Sequence, residues 1–69
     1  MPEHPELGNR LKELRLNAGL TQAELAAAIG VSRKTVNTVE NGVFVPSTIL
    51  ALRISAALGV PVEQVFMLK

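Results

Sequence analysis

Apolar positions recur at helical spacing in five stretches of this chain, and the breaks between them fall on glycine or proline. Leu7, Leu11, Leu14 and Ala18 share one face of a first helix, with Arg10, Lys12, Glu13 and Asn17 off that face and Gly19 ending it. Thr21-Gln22-Ala23-Glu24 has the form of a capping box, in which hydroxyl and carboxylate each satisfy a backbone amide, so a second helix starts at Gln22. It is short. Leu25 and Ile29 face inward on either side of the small Ala26, and Gly30 stops it. Ser32 is the next N-cap, opening a third helix of about Arg33 to Asn41 that Gly42 terminates. Ser47 caps a fourth, Thr48 to Leu58, with Leu50, Ile54 and Leu58 on one stripe and Gly59 at its end. Pro61 restarts a fifth through about Phe66, and Met67, Leu68 and Lys69 form a tail.

Residues Met1 to Pro5 hold two prolines and no periodicity. They read as a flexible lead-in, with Pro5 placed to start the first helix and the isolated His4 simply solvated. No strand signal appears, and a brief extended tail is the one exception the pattern allows. The fold class predicted is all-α, a compact five-helix bundle forming a single domain over residues 1–69. The second and third helices, joined by a short turn at Gly30, make a helix-turn-helix over residues 22–42.

Angular positions divide the third helix. With Arg33 at zero and about 100° per residue, Asn37, Asn41, Lys34 and Thr38 fall within the next ~140°, while Val36, Val39 and Thr35 fall opposite. The outward face thus carries two cations, two amides and a hydroxyl without a carboxylate, and Glu40 sits at its edge. Ordinary solvated faces mix both signs, so this one suits an anionic partner better than water alone.

Composition narrows the classes. A chain of 69 residues supports one small core, and with no cysteine and one histidine it supports neither a disulfide framework nor a zinc site; no metal and no cofactor is expected. Seven basic and six acidic residues leave a formal charge of +1, so affinity for nucleic acid must come from where charges sit, or from doubling them in a dimer. No long apolar run and no basic-then-apolar leader is present, and the reading is a complete cytoplasmic protein. An enzyme is not expected. Glu3, Glu6, Glu13, Glu24, Glu40 and Glu63 are each explained by solvation, capping or pairing, and no nucleophile stands beside a base.

From Thr21 to Gly42 the sequence resembles the phage-repressor and Cro-type helix-turn-helix regulators, the XRE family, whose fold is the lambda-repressor-like DNA-binding domain. The residues that carry the resemblance are Gln22, Ala26, Gly30, Val36, Val39 and the closing Glu40-Asn41-Gly42, with Arg10 to Arg15 before them and Pro46-Ser47 and Ala57 to Val60 after. The resemblance implies a double-stranded DNA operator as partner. It implies that Gln22 binds a phosphate at the start of the second helix, and that Arg33, Lys34 and Thr38 face base edges with Asn37 close by. Ser32, Thr35, Asn41 and the amide of Gly42 are implied on the DNA side as backbone contacts, and Arg15 is implied to brace Glu40. Many relatives follow Glu-Asn-Gly with a lysine; this chain has Val43-Phe44-Val45.

Two readings of the C-terminal half stay open. Ile49 and Ala56, with Val43 and Val45, either enlarge the core or form an exposed apolar patch. In the second case Ile49, Ala56, Val60, Val62, Phe66, Met67 and Leu68 are candidates for a homodimer interface. The function expected is a sequence-specific transcriptional regulator, a homodimeric repressor reading the major groove with its third helix. The alternative is an antitoxin or phage accessory protein working through protein contacts, with a toxin as partner.

Overall fold

The computed structural model describes residues 6–69, in the order β1 (Leu7–Asn9), α1 (Leu11–Asn17), α2 (Gln22–Ile29), α3 (Arg33–Glu40), α4 (Thr48–Leu58), α5 (Val62–Val65) and β2 (Phe66–Leu68). The lead-in, with His4 and the helix-starting role given to Pro5, lies outside the described residues.

The five expected helices are present, but both ends of the chain differ from expectation. Leu7 does not open the first helix. It belongs to β1, which pairs antiparallel with β2 in the register Leu7 with Leu68, Gly8 with Met67 and Asn9 with Phe66. The Lys69 N–H extends the ladder to the Glu6 carbonyl at 2.9 Å. Gly8 is a poor helix former, and Asn9 offers the backbone another partner, its Oδ1 accepting from the Leu11 N–H at 3.1 Å. Helix α1 therefore begins at Leu11 and ends at Asn17, with Ala18 as its C-cap. Phe66, expected as the last residue of the fifth helix, starts β2 in extended conformation, and the tail is a strand. Two three-residue strands far apart in sequence leave too little alternation to be read from the chain.

The core is aliphatic and lies where the stripes converge. Leu11, Leu25, Ala26, Ile29, Val36, Val39, Leu50, Ile54 and Val65 are buried, with Leu14, Leu20, Val31, Leu58, Val60 and Phe66 packed around them. Each fully buried leucine or valine contributes roughly 1.5–3 kcal/mol from removal of its side chain from water. The small Ala26 is buried at the α2–α3 crossing, as its side-chain size suggests.

The turn geometry is set by caps. The Thr21 hydroxyl accepts from the Glu24 N–H at 3.0 Å and the Glu24 carboxylate from the Thr21 N–H at 2.8 Å, completing the capping box. At the other end Gly30 takes φ 76° and ψ 32°, a left-handed conformation that reverses the chain within one residue. The Val31 N–H then returns to the Ala26 carbonyl at 3.0 Å, and Ser32 caps α3 through the Thr35 N–H at 3.2 Å. A methyl group at Gly30 would meet only the Arg53 guanidinium, at 3.6 Å, so the space is sufficient and the backbone is the constraint. Gly30→Ala is expected to lower the unfolding free energy by about 1–2 kcal/mol, the left-handed penalty for a residue with a Cβ; urea denaturation with an unchanged m-value checks this.

Candidate nucleic-acid interface

The valines of α3 fix which side of that helix faces out. Val36 and Val39 are buried against the core, and this leaves Arg33, Lys34, Asn37 and Asn41 exposed. Two hydroxyls expected on or beside that face are half-buried and held within the helix. The Thr38 Oγ1 donates to the Thr35 carbonyl at 2.9 Å, and the Thr35 and Ser32 hydroxyls lie 3.0 Å apart. The outward surface is consequently made by two cations and two carboxamides.

Beneath that surface runs a connected set of hydrogen bonds. Arg15 of α1 meets Glu40 of α3 through both arms of its fork, Nε to Oε2 at 2.6 Å and Nη2 to Oε1 at 3.3 Å, while its Nη1 donates to the Leu20 carbonyl at 2.8 Å. The two side chains are 7% and 3% exposed. Gln22, the first residue of α2, donates from Nε2 to Glu40 Oε1 at 3.1 Å and to Asn37 Oδ1 at 3.2 Å, and its Oε1 accepts from Arg33 Nη1 at 3.4 Å. An amide nitrogen has two hydrogens, so both of Gln22's are engaged. Gln22 therefore joins the buried pair to two exposed polar side chains of α3, and it reaches a phosphate only by releasing Asn37 or Glu40.

The backbone beyond α3 is similarly committed. The Gly42 N–H donates to the Val39 carbonyl at 3.1 Å, and those of Val43 and Phe44 to the Thr38 carbonyl at 3.0 and 3.3 Å. The amide of Gly42 is thus turned into its own helix end, and the Asn41 carboxamide is the polar group that this corner offers outward. Asn9 supports the same corner from β1, its Nδ2 donating to the Val39 carbonyl at 3.1 Å. Local spacing carries no signal for that contact, since the two residues are thirty positions apart.

Cations elsewhere differ in how free they are. Arg10 is paired with Glu13 at 2.8 Å. Their hydrogen bond, with the attraction of opposite charges added, raises the guanidinium above its usual value and lowers the carboxyl, but both groups are fully exposed and screened by water. Arg53 of α4 reaches the Ile29 carbonyl at 3.5 Å. Among the described residues no carboxylate lies within ion-pair distance of Lys12, Arg33, Lys34 or Lys69.

The apolar residues left open in the sequence are exposed. Val43, Phe44 and Val45 stand partly in solvent, and Ile49 is 65% exposed. A groove of about 250 Å3 runs between the loop, α4, α5 and β1, lined by Leu7, Val45, Pro46, Leu52, Val62 and Phe66 among others. Leu52, absent from the expected interface, is 55% exposed at its margin, three residues from Ile49 on α4. Val60 and Phe66 lean on the core, Met67 is half-buried in β2, and Leu68 is 84% exposed. Ala56 opens onto a different hollow, beside Ala27, Ala28 and Arg53.

Comparison with known proteins agrees with this architecture. The helix-turn-helix family model matches residues 11–65. The chain is 44% identical over 61 residues to the uncharacterized HTH-type transcriptional regulator YgzD of Bacillus subtilis, covering 88% of this chain and 92% of that one. It is 48% identical over 59 residues to an uncharacterized HTH-type transcriptional regulator of Methanothermobacter thermautotrophicus, covering 84% and 86%. Among solved structures, the restriction-modification controller protein C.AhdI from Aeromonas hydrophila superposes with a TM-score of 0.76 at 36% identity, over 80% of this chain and 83% of that one. The chain belongs to the XRE-type helix-turn-helix family of transcriptional regulators, which are DNA-binding proteins and not enzymes.

Removing one member of the buried pair strands the other. Glu40→Ala leaves the Arg15 guanidinium desolvated and is expected to lower stability by about 3–5 kcal/mol. Native domains commonly hold only about 0.05–0.15 kcal/mol per residue, so the variant should be largely unfolded near 37 °C, as read from a circular-dichroism melt.

Proposed function

We propose that the protein is a sequence-specific repressor that acts in the cytoplasm as a homodimer, each copy placing α3 in the major groove of an operator half-site. The observation that carries this reading is the outward face of α3. Arg33, Lys34, Asn37 and Asn41 are exposed together, and the carboxylate nearest to them, Glu40, is turned inward onto Arg15 and Gln22. Arginine pairs bidentately with guanine, and a carboxamide with adenine, at the edges a major groove presents. Arg33 is thus the first reader, with Lys34 and Asn37 beside it and Asn41 toward the backbone, while Thr38, half-buried with its hydroxyl on the Thr35 carbonyl, contributes less.

Dimensions support two copies. The longest Cα extent is 27 Å, shorter than the ~34 Å between successive major-groove faces, so one copy covers one half-site. With a formal charge of +1, one copy also has little electrostatic affinity to offer, and a second site on the same duplex raises it through effective concentration. The groove of Val45, Leu52, Val62 and Phe66, flanked by Ile49, is the apolar surface available for pairing. Repression follows from occupying a promoter; among the described residues no second unit is present to sense a ligand.

Arg33→Ala is expected to weaken binding to a selected operator by about 1–3 kcal/mol and to relax base preference, whereas Gln22→Ala weakens selected and random DNA alike. Selection from a random duplex library at fixed salt, followed by titration of both variants, tests this; equal losses on both DNAs for both variants would overturn the roles. Sedimentation at tens of micromolar should show a dimer that Leu52→Glu dissociates, and a monomeric wild type would sink the dimer.

A further inference from the structure

We infer a phosphate seat outside the helix-turn-helix, formed by Lys69 at the end of β2 together with Asn41 at the end of α3. It rests on the DNA-binding reading above and adds a contact to it. The two residues, with Gly8, Asn9, Gly42 and Met67, line one open hollow of about 330 Å3. Asn41 belongs to the same outward face as Arg33 and Asn37, so the hollow continues the polar surface of α3 past its C-terminal end.

Lys69 is held there by its backbone and its stem. Its N–H donates to the Glu6 carbonyl at 2.9 Å, which fixes the residue in register with β1. A Cβ at Gly8 would lie 3.4 Å from the Lys69 Cγ and 3.6 Å from its Cε, so the side chain of Lys69 lies across the bare backbone of Gly8. The sheet is tied to the end of α3 by the Asn9 carboxamide on the Val39 carbonyl, at 3.1 Å. Glu40 also borders the hollow, but its side chain is 3% exposed and bound to Arg15 and Gln22, and no side-chain carboxylate among the described residues lies within ion-pair distance of the Lys69 ammonium. A cation with three free donors, beside an exposed carboxamide, suits a phosphodiester oxygen. The loop that follows α3, Val43-Phe44-Val45, has no cation of its own, and Lys69 places one beside the same corner from the far end of the chain.

The test is a salt titration of a random-sequence DNA duplex, read by fluorescence anisotropy, for the wild type, Lys69→Gln, Lys69→Arg and Arg53→Gln. Losing one phosphate contact should make the slope of log K against log salt shallower by about 0.9 per copy for Lys69→Gln. The loss in affinity per copy at about 50 mM salt should then exceed that at about 200 mM by roughly three- to fourfold. Lys69→Arg should keep the wild-type slope, as should Arg53→Gln, which removes the same charge from α4 near Ile29 and Gly30. Thermal melting of Lys69→Gln should match the wild type. An unchanged slope for Lys69→Gln, or an equal change for Arg53→Gln, overturns the seat while leaving DNA binding intact. A wild type with no salt-dependent affinity overturns the DNA-binding reading itself.

Discussion

The pairing of Arg15 with Glu40 is the constraint on which the arrangement of the first three helices depends. It links α1 to the C-terminal end of α3, and Arg15 at the same time holds the Leu20 carbonyl in the turn that leads into α2. Two charges this deeply buried gain net stability only when the remaining donors and acceptors are satisfied, and here they are: no buried side-chain nitrogen or oxygen among the described residues lacks a partner. The aliphatic core supplies most of the free energy, and the buried Val36 and Val39 decide which side of α3 faces inward. The fork of Arg15 on Glu40 is directional, and it fastens the C-terminal end of α3 in that orientation.

Gln22 extends that directional control to the surface. Through it the exposed Arg33 and Asn37 are hydrogen-bonded, at one remove, to a buried ion pair. Such an arrangement limits the rotamers Arg33 explores before any partner arrives, which reduces the side-chain entropy lost on binding. The same network explains why Glu40, a carboxylate on a face otherwise suited to anions, does no harm there. Its charge is matched by Arg15 and covered by Gln22, so the potential presented outward is that of Arg33 and Lys34.

Most of the helical architecture was legible because α2, α3 and α4 carry their own punctuation. Thr21 with Glu24, Ser32 and Ser47 cap the starts, and Gly30 and Gly59 take the left-handed conformation at the ends. The inward set Leu25, Ala26, Ile29, Val36 and Val39 followed from spacing alone, and the Arg15–Glu40 contact was anticipated through family resemblance. The sheet was not legible. Strands of three residues, one built on Leu7-Gly8-Asn9 and the other following α5 directly, are specified by pairing across nearly the whole chain and not by local preference. Leu7 also continues the spacing of Leu11 and Leu14, so periodicity favoured a helix until Asn9 is seen to hold the Leu11 and Val39 backbone. Angular position set Thr38 on the outward face but could not show that its hydroxyl turns back along the helix onto the Thr35 carbonyl.

Pairing β1 with β2 also steadies the C-terminal end of α3. A bundle of short helices would let the C-terminal end of α3 fray, because the last carbonyls of a helix lack partners within it. Here the Val39 carbonyl is held by Asn9 of β1, and the Thr38 carbonyl by the amides of Val43 and Phe44. The sheet and the apolar loop thus fasten the same turn from opposite sides, and the loop's unusual composition becomes understandable. Val43 and Phe44 contribute backbone donors to α3 while their side chains remain partly exposed, and Val45 lines the groove beside Leu52 and Phe66. A loop of charged residues could close the helix equally well through its amides, but it would not leave that groove apolar. The segment after α3 therefore serves two surfaces at once, holding the end of that helix on one side and lining the apolar groove on the other.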